Sequence, residues 1–242
     1  MVNIPEDIML DILVRLPVKS IGRFRCVNKA WSNLLKDTKF VKMHLKHAVE
    51  MNKLSLMLRQ DSDSIKTIGY NLSLSTDNGL VNVDYPLKYE TRGVQCLGYC
   101  DGLVWFVCEG WLATSHVCIW NPATNEYKEL PVTPPESLNG MRRFECGFGY
   151  DYEIEDFKVV SLMSCDSFEG FWSEVQVYTL GSNSWRGIGK IPYDVYDPMA
   201  DMARVPVNGA LHWIVVRTTG ASSVIISFDL AQEIIQEIAL PN

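Results

Sequence analysis

The sequence predicts an α+β chain of two modules, short helices over residues 1–46 and β-strands over residues 47–242. Three observations carry that division. Apolar residues recur at helical spacing as far as about His47. From Leu54 onward, short apolar runs alternate with Asn, Asp, Gly and Pro turns. The charge divides near the same place: residues 1–60 hold eleven Lys/Arg against five Asp/Glu, or +6, and the remainder eleven against twenty-four, or −13. Such asymmetry suggests modules with different partners.

Composition narrows the classes. With 242 residues and 47% apolar content, the chain is able to bury a core and does not read as disordered. No apolar run approaches the roughly 20 residues that span a bilayer. The N-terminus lacks the charged start and apolar stretch of a secretory signal, so the expected setting is cytoplasm or nucleus, where thiols stay reduced. The seven cysteines fit, being odd in number with none spaced C-x-x-C. Cys96 with Cys100, and His44 with His47, come nearest to metal pairs, but neither finds the four ligands of structural zinc. No metal or cofactor is assigned. Glu6, Asp7, Asp11 and Asp37 dilute the basic head, which argues against nucleic acid.

The head reads as short helices. Pro5 suits a first turn, where its missing N–H is not needed, and Glu6 and Asp7 place acid at the positive end of the helix dipole. Ile8, Met9, Ile12, Leu13 and Leu16 form a wide apolar stripe that Pro17 ends. A second helix carries Ile21, Phe24 and Val27 and is weakened by Gly22. A third spans Asn28 to Lys36 with Trp31, Leu34 and Leu35, and Phe40–His47 continues helical. Helices this short draw their stability from packing. Their apolar surface packs either on the rest of the chain or on another protein.

The string Ile4-Pro5, Ile8, Ile12, Arg15-Leu16-Pro17-Val18-Lys19-Ser20 and Arg25-Cys26-Val27-Asn28-Lys29-Ala30-Trp31 resembles the three-helix F-box, and Phe40 and His44 continue the resemblance. It covers residues 2–46. Gly22 stands where larger apolar residues are usual, and Asn28 where cysteine or serine is common. The resemblance implies a partner, the Skp-type adaptor of a cullin–RING ubiquitin ligase. It marks Pro5, Ile8, Ile12, Leu16, Pro17, Val18, Ile21, Val27 and Trp31 as contact candidates; the alternative is that Phe24, Leu34, Leu35 and some of these nine face inward and hold the helices together.

The β region repeats. VCIWNPATNEYKELP, VQVYTLGSNSWRGIGKIP and IISFDLAQEIIQEIALP align on Trp120, Tyr178 and Phe228, with Tyr127, Trp185 and Ile235 seven residues later. Trp105 and Trp213 each precede their aromatic by fifteen residues. Steps of 58 and 50 residues stand close to the ~50 of a kelch-type propeller blade. Each unit reads as a hairpin whose aromatics fill the space between blades. The stretch IWNPATNEYKELP also resembles the F-box-associated region of plant F-box proteins, which pairs with kelch-like repeats. About three to four blades are traceable, fewer than closure commonly uses. The expectation is an incomplete or shortened propeller, since family members run longer.

Enzyme motifs fall short. Gly98-Tyr99-Cys100-Asp101-Gly102 mimics a nucleophile elbow, but a strand rather than a helix follows it. GFGYD and GIGK lack a phosphate-loop pattern, and Asp151, Glu153, Glu155 and Asp156 read as a solvated acidic turn. The F-box resemblance implies instead a non-catalytic substrate-recognition subunit of an SCF-type ligase. It would bind the adaptor, and through it cullin and RING subunits, and present a client on its repeats. Trp111, Phe171 and Trp172 fall in expected loops and are the candidates for client contact. The rival is a small-molecule or glycan sensor that uses the same aromatic loops.

Overall fold

Proline opens each of the first two helices in the structure, a computed structural model that describes residues 5–51, 55–61, 64–69, 80–110, 115–131, 141–167, 170–195, 206–219 and 222–238. Helix α1 spans Glu6–Val14 behind Pro5, and α2 spans Val18–Phe24 behind Pro17. Helix α3 spans Lys29–Lys36, capped by Asn28, whose side-chain oxygen accepts from Trp31 N at 2.9 Å. Helix α4 spans Thr38–Glu50 and is capped by Asp37, which accepts from Lys39 N at 2.8 Å. The second helix stops three residues short of Val27. Asn28 must be extended (φ −161°) to cap α3, so Val27 is left in the turn before it.

The helices share a core of their own. Leu13, Val14, Ile21, Leu35 and Phe40 are buried, and Met9, Leu10, Leu16, Phe24, Trp31 and Leu34 pack around them. His44 Nε2 donates to the Leu16 carbonyl at 2.8 Å, tying α4 to the end of α1. This accounts for the histidine in the motif's tail; His44 is structural here. The chain clusters into two units, Met1–Tyr89 with Asn121–Glu126, and Glu90–Trp120 with Tyr127–Asn242. The first unit also holds an antiparallel sheet of β1 (Ser55–Asp61), β2 (Ser64–Gly69) and β3 (Val81–Val83). The turn expected at Asp77-Asn78-Gly79 lies outside the described residues.

Three four-stranded antiparallel sheets follow, each built from consecutive strands. The second sheet holds β4 (Thr91–Cys100), β5 (Leu103–Gly110), β6 (Ser115–Asn121) and β7 (Glu126–Glu129). The third holds β8 (Met141–Asp151), β9 (Asp156–Ser167), β10 (Gly170–Thr179) and β11 (Ser184–Ile191). The fourth holds β12 (Tyr193–Val195), β13 (Ala210–Arg217), β14 (Ser223–Asp229) and β15 (Ile235–Ile238). The three aligned stretches are the β6–β7, β10–β11 and β14–β15 hairpins, and Trp120, Tyr178 and Phe228 are fully buried.

Their turns share one conformation. Asn125, Asn183 and Glu233 take φ of 60°, 53° and 57°, and each N–H returns to the carbonyl four residues back, at Asn121, Thr179 and Asp229. Asn121 and Asp229 brace the bend by accepting two backbone N–H groups through the side chain. Asp151 does the same for the β8–β9 turn, where Glu155 has φ 55°. The equal fifteen-residue spacing of Trp105 and Trp213 does not make them equivalent. Leu211 pairs with Phe228 but Val104 pairs with Trp120, so Trp213 shares Phe228's face while Trp105 turns away from Trp120's. A register difference of one residue exchanges the faces of a strand.

Each core layer is drawn from two neighbouring sheets. Trp105 and Ile119 pack with Phe148, Val159 and Tyr178 between the second and third. Val160, Leu162, Val175 and Val177 pack with Leu211, Trp213, Ile226 and Phe228 between the third and fourth. The glycines of GFGYD serve this approach: a Cβ on Gly147 would stand 2.8 Å from Leu211 Cδ1 and 2.9 Å from Trp213 Cζ2. The acidic turn is not wholly solvated. Asp151 is buried, and its Oδ2 lies 2.6 Å from Lys158 Nζ, which also reaches Glu233 Oε1 at 2.8 Å and the Leu230 carbonyl at 2.7 Å. Arg186 completes the network on Glu233 Oε2 at 2.6 Å.

Candidate adaptor-binding site

The outward side of α1 is the apolar surface that the helical core leaves open. Leu13 and Val14 turn inward, while Ile8 and Ile12, one turn apart, remain 50% and 49% exposed. Pro5 is exposed ahead of them, and Asp11 pairs with Arg15 at 2.9 Å along the same helix. Covering a half-exposed isoleucine contributes on the order of 1 kcal/mol, half of what a full burial gives. Water therefore disfavours this surface, and a complementary apolar partner would stabilise it.

The nine contact candidates separate by exposure. Pro5, Ile8, Ile12, Pro17 and Val27 are open, Val27 at 62%. Leu16, Val18 and Trp31 are half-buried, and Trp31 meets Phe24 edge-on with ring centroids 5.4 Å apart. Ile21 is buried in the helices' own core and has little surface left to offer. Ile21 sits on the seven-residue helix α2, too short for its apolar spacing to define an inner face, and only packing shows which position turns inward. Val41 and Met43 on α4, 50% and 46% exposed, did not stand out in the sequence. Their spacing gave no signal, since Met43 stands three residues after Phe40 and Val41 three before His44, the spacing of neighbours on one helix face.

Asn28 keeps the chemistry that serine would supply at its position, because its side-chain oxygen caps α3. At Gly22 a Cβ would meet nothing within 4 Å, so the glycine leaves open space on α2.

The client candidates occupy different ground from that expected. Phe171 and Trp172 are not in a loop: they begin β10 and pair with Asp166 and Cys165 of β9. Phe171 is 38% exposed, and Lys190 Nζ stands 3.8 Å over the half-buried Trp172 ring. Trp111 lies outside the described residues.

The chemistry at Cys100 is that of a structural thiol. Asp101 and Gly102, with φ of 46° and 83°, make the two-residue turn between β4 and β5. Burial pushes the thiol up to about 12, and the neighbouring Asp101 charge adds to this. A thiol so shifted stays protonated near neutrality, the reverse of an activated nucleophile. Among the described residues no group of three or more His, Cys, Asp or Glu is placed to hold a metal ion. No helix among them is long and apolar enough to cross a membrane.

Comparison with known proteins matches these two regions. Residues 1–43 fit the F-box domain model, and residues 34–242 fit the F-box associated beta propeller domain model. An F-box/kelch-repeat protein of Arabidopsis thaliana is 30% identical over 250 residues, covering 99% of this chain and 66% of the relative. The Arabidopsis F-box protein CPR1 is 27% identical over 263 residues, covering 100% and 61%. The chain thus spans just under two thirds of the length of these relatives. With an open apolar face on its first helix and four antiparallel sheets, the chain is a member of the F-box proteins with an F-box-associated β-propeller domain.

Proposed function

We propose that the chain is the substrate-recognition subunit of an SCF-type cullin–RING ubiquitin ligase, acting in the cytoplasm or nucleus. Residues 1–46 dock on a Skp-type adaptor, and residues 47–242 hold a client protein for ubiquitination. The observation that carries this reading is the pair Ile8 and Ile12, half-exposed on a helix whose other side completes a core. A surface of that kind is one side of an interface, with the other side supplied by another chain. The subunit itself performs no chemistry. It raises the local concentration of its client near the charged enzyme, so its effect is proximity. Phe171, with Trp172 beside it, is the described candidate for client contact.

Co-expression with a Skp-type adaptor tests the reading. The complex is expected to co-purify, and Ile8→Asp with Ile12→Asp is expected to abolish it while thermal unfolding of the isolated chain stays unchanged. An adaptor that never co-purifies with the unaltered chain, or one that holds the double variant equally well, would remove the proposal.

A further inference from the structure

Strands β6, β10 and β14 repeat one alternation of faces, and the repetition shows what kind of surface the fourth sheet presents. Aligned on Trp120, Tyr178 and Phe228, the preceding alternate positions are Ile119 and Val117 on β6, Val177 and Val175 on β10, and Ser227 and Ile225 on β14. Their cross-strand partners are Trp105 and Val107, Val160 and Leu162, and His212 and Ile214. In the second sheet this face packs on the third, and in the third it packs on the fourth. In the fourth sheet the equivalent row is Ile214, Ile225 and Ile238, in register across three strands. Ile214 is 46% and Ile238 40% exposed. Beside this row, His212, Ser227 and Gln236 floor an open groove of about 260 Å³, with Asp229 at its lining. A sheet face meant for water alternates to polar side chains; three isoleucines in one row match a face that is covered.

The first sheet offers a surface of complementary character. Leu56 and Leu58 on β1, each 43% exposed, alternate with half-buried Met57 and so share one face. Lys66 stands opposite Leu58 in the register, giving that face a positive charge to set against Asp229. We infer that the Ile214–Ile225–Ile238 face of one molecule docks on the Leu56–Leu58 face of a second copy of this chain. The joint repeats between molecules the sheet-on-sheet packing that operates within one, and it is independent of the ligase reading. Because two different surfaces meet, the contact is heterologous and either closes on itself or extends.

Sedimentation velocity of the intact chain over a wide concentration range tests the pairing. The unaltered chain is expected to gain mass with concentration. Ile214→Glu and Leu58→Glu are each expected to weaken self-association by at least about tenfold, roughly the effect of 1.4 kcal/mol. Ile238→Glu serves as a second variant should Ile214→Glu not fold, and Ile154→Glu, exposed in the β8–β9 turn, should associate normally. Mixing Ile214→Glu with Leu58→Glu should restore a 1:1 complex, since each retains the surface that the other lacks. A chain that stays monomeric throughout, substituted chains that associate like the parent, or a mixture that fails to associate would each overturn the inference.

Discussion

Lys158 on β9 reaches Asp151 at 2.6 Å and Glu233 at 2.8 Å, joining the third sheet to the β14–β15 turn of the fourth. Burial alone would raise both carboxyls, but the Lys158 ammonium overrides it; for Asp151 the Glu153 and Ile154 N–H groups help, and for Glu233 the Arg186 guanidinium helps. Both carboxyls end below their ordinary values. Lys158 ends above its own, its two carboxylate partners outweighing burial.

The pH dependence follows from those directions. Carboxyls held low in the folded state stabilise it fully above the ordinary carboxylate range and lose that contribution as pH falls through it. The raised lysine loses its contribution only on the alkaline side. Melting temperature should therefore fall as pH drops below about 4, and Glu233→Gln should flatten part of that fall. A melting temperature indifferent to acid would show that the network contributes nothing.

Lys158→Met should destabilise the chain by about 3–5 kcal/mol, because it leaves the Asp151 charge buried and unpaired. Adding Asp151→Asn should recover part of the loss, since the amide keeps the oxygen that accepts from Glu153 and Ile154. Denaturant unfolding of the single and double variants measures the difference.

Gly147→Ala should cost about 1–3 kcal/mol. Its new methyl would press on Leu211 and Trp213, both almost fully buried, where little room exists to give way. Equal midpoints for parent and variant in a denaturant titration would contradict the close approach of the two sheets.

Gly22→Ala should act in the opposite direction and raise stability by up to about 1 kcal/mol, since the methyl meets open space on α2. Calorimetry of the two chains decides it, with a lower transition for the alanine form counting against the helix as placed.

Asn28→Ala should lower stability by about 1 kcal/mol, and Asn28→Ser by much less, because only the first removes the oxygen that Trp31 N donates to. Parallel thermal melts compare the two.

Much of this architecture is legible in the residues. The helices up to Phe40–His47 follow from apolar spacing and proline, and the β6–β7, β10–β11 and β14–β15 hairpins follow from their aromatics and turns. What escaped was decided by packing. Strand β8 carries Gly147 and Gly149, which interrupt the apolar pattern that marks a strand; glycine is there because the fourth sheet approaches so closely. Phe171 and Trp172 sit at the start of a long strand, since the β9–β10 pairing runs past the apolar stretch that signals it. Ile21 and Ile8 look alike in a periodic pattern; only the fold makes one interior and the other open.

The left-handed turn shared by Asn125, Glu155, Asn183 and Glu233 lets each hairpin reverse using only residues of its own. A molecule assembled from such self-closing pieces, each leaning on its neighbour, treats length as an adjustable quantity. In such a build a sheet can be added or removed without redesigning those that stay.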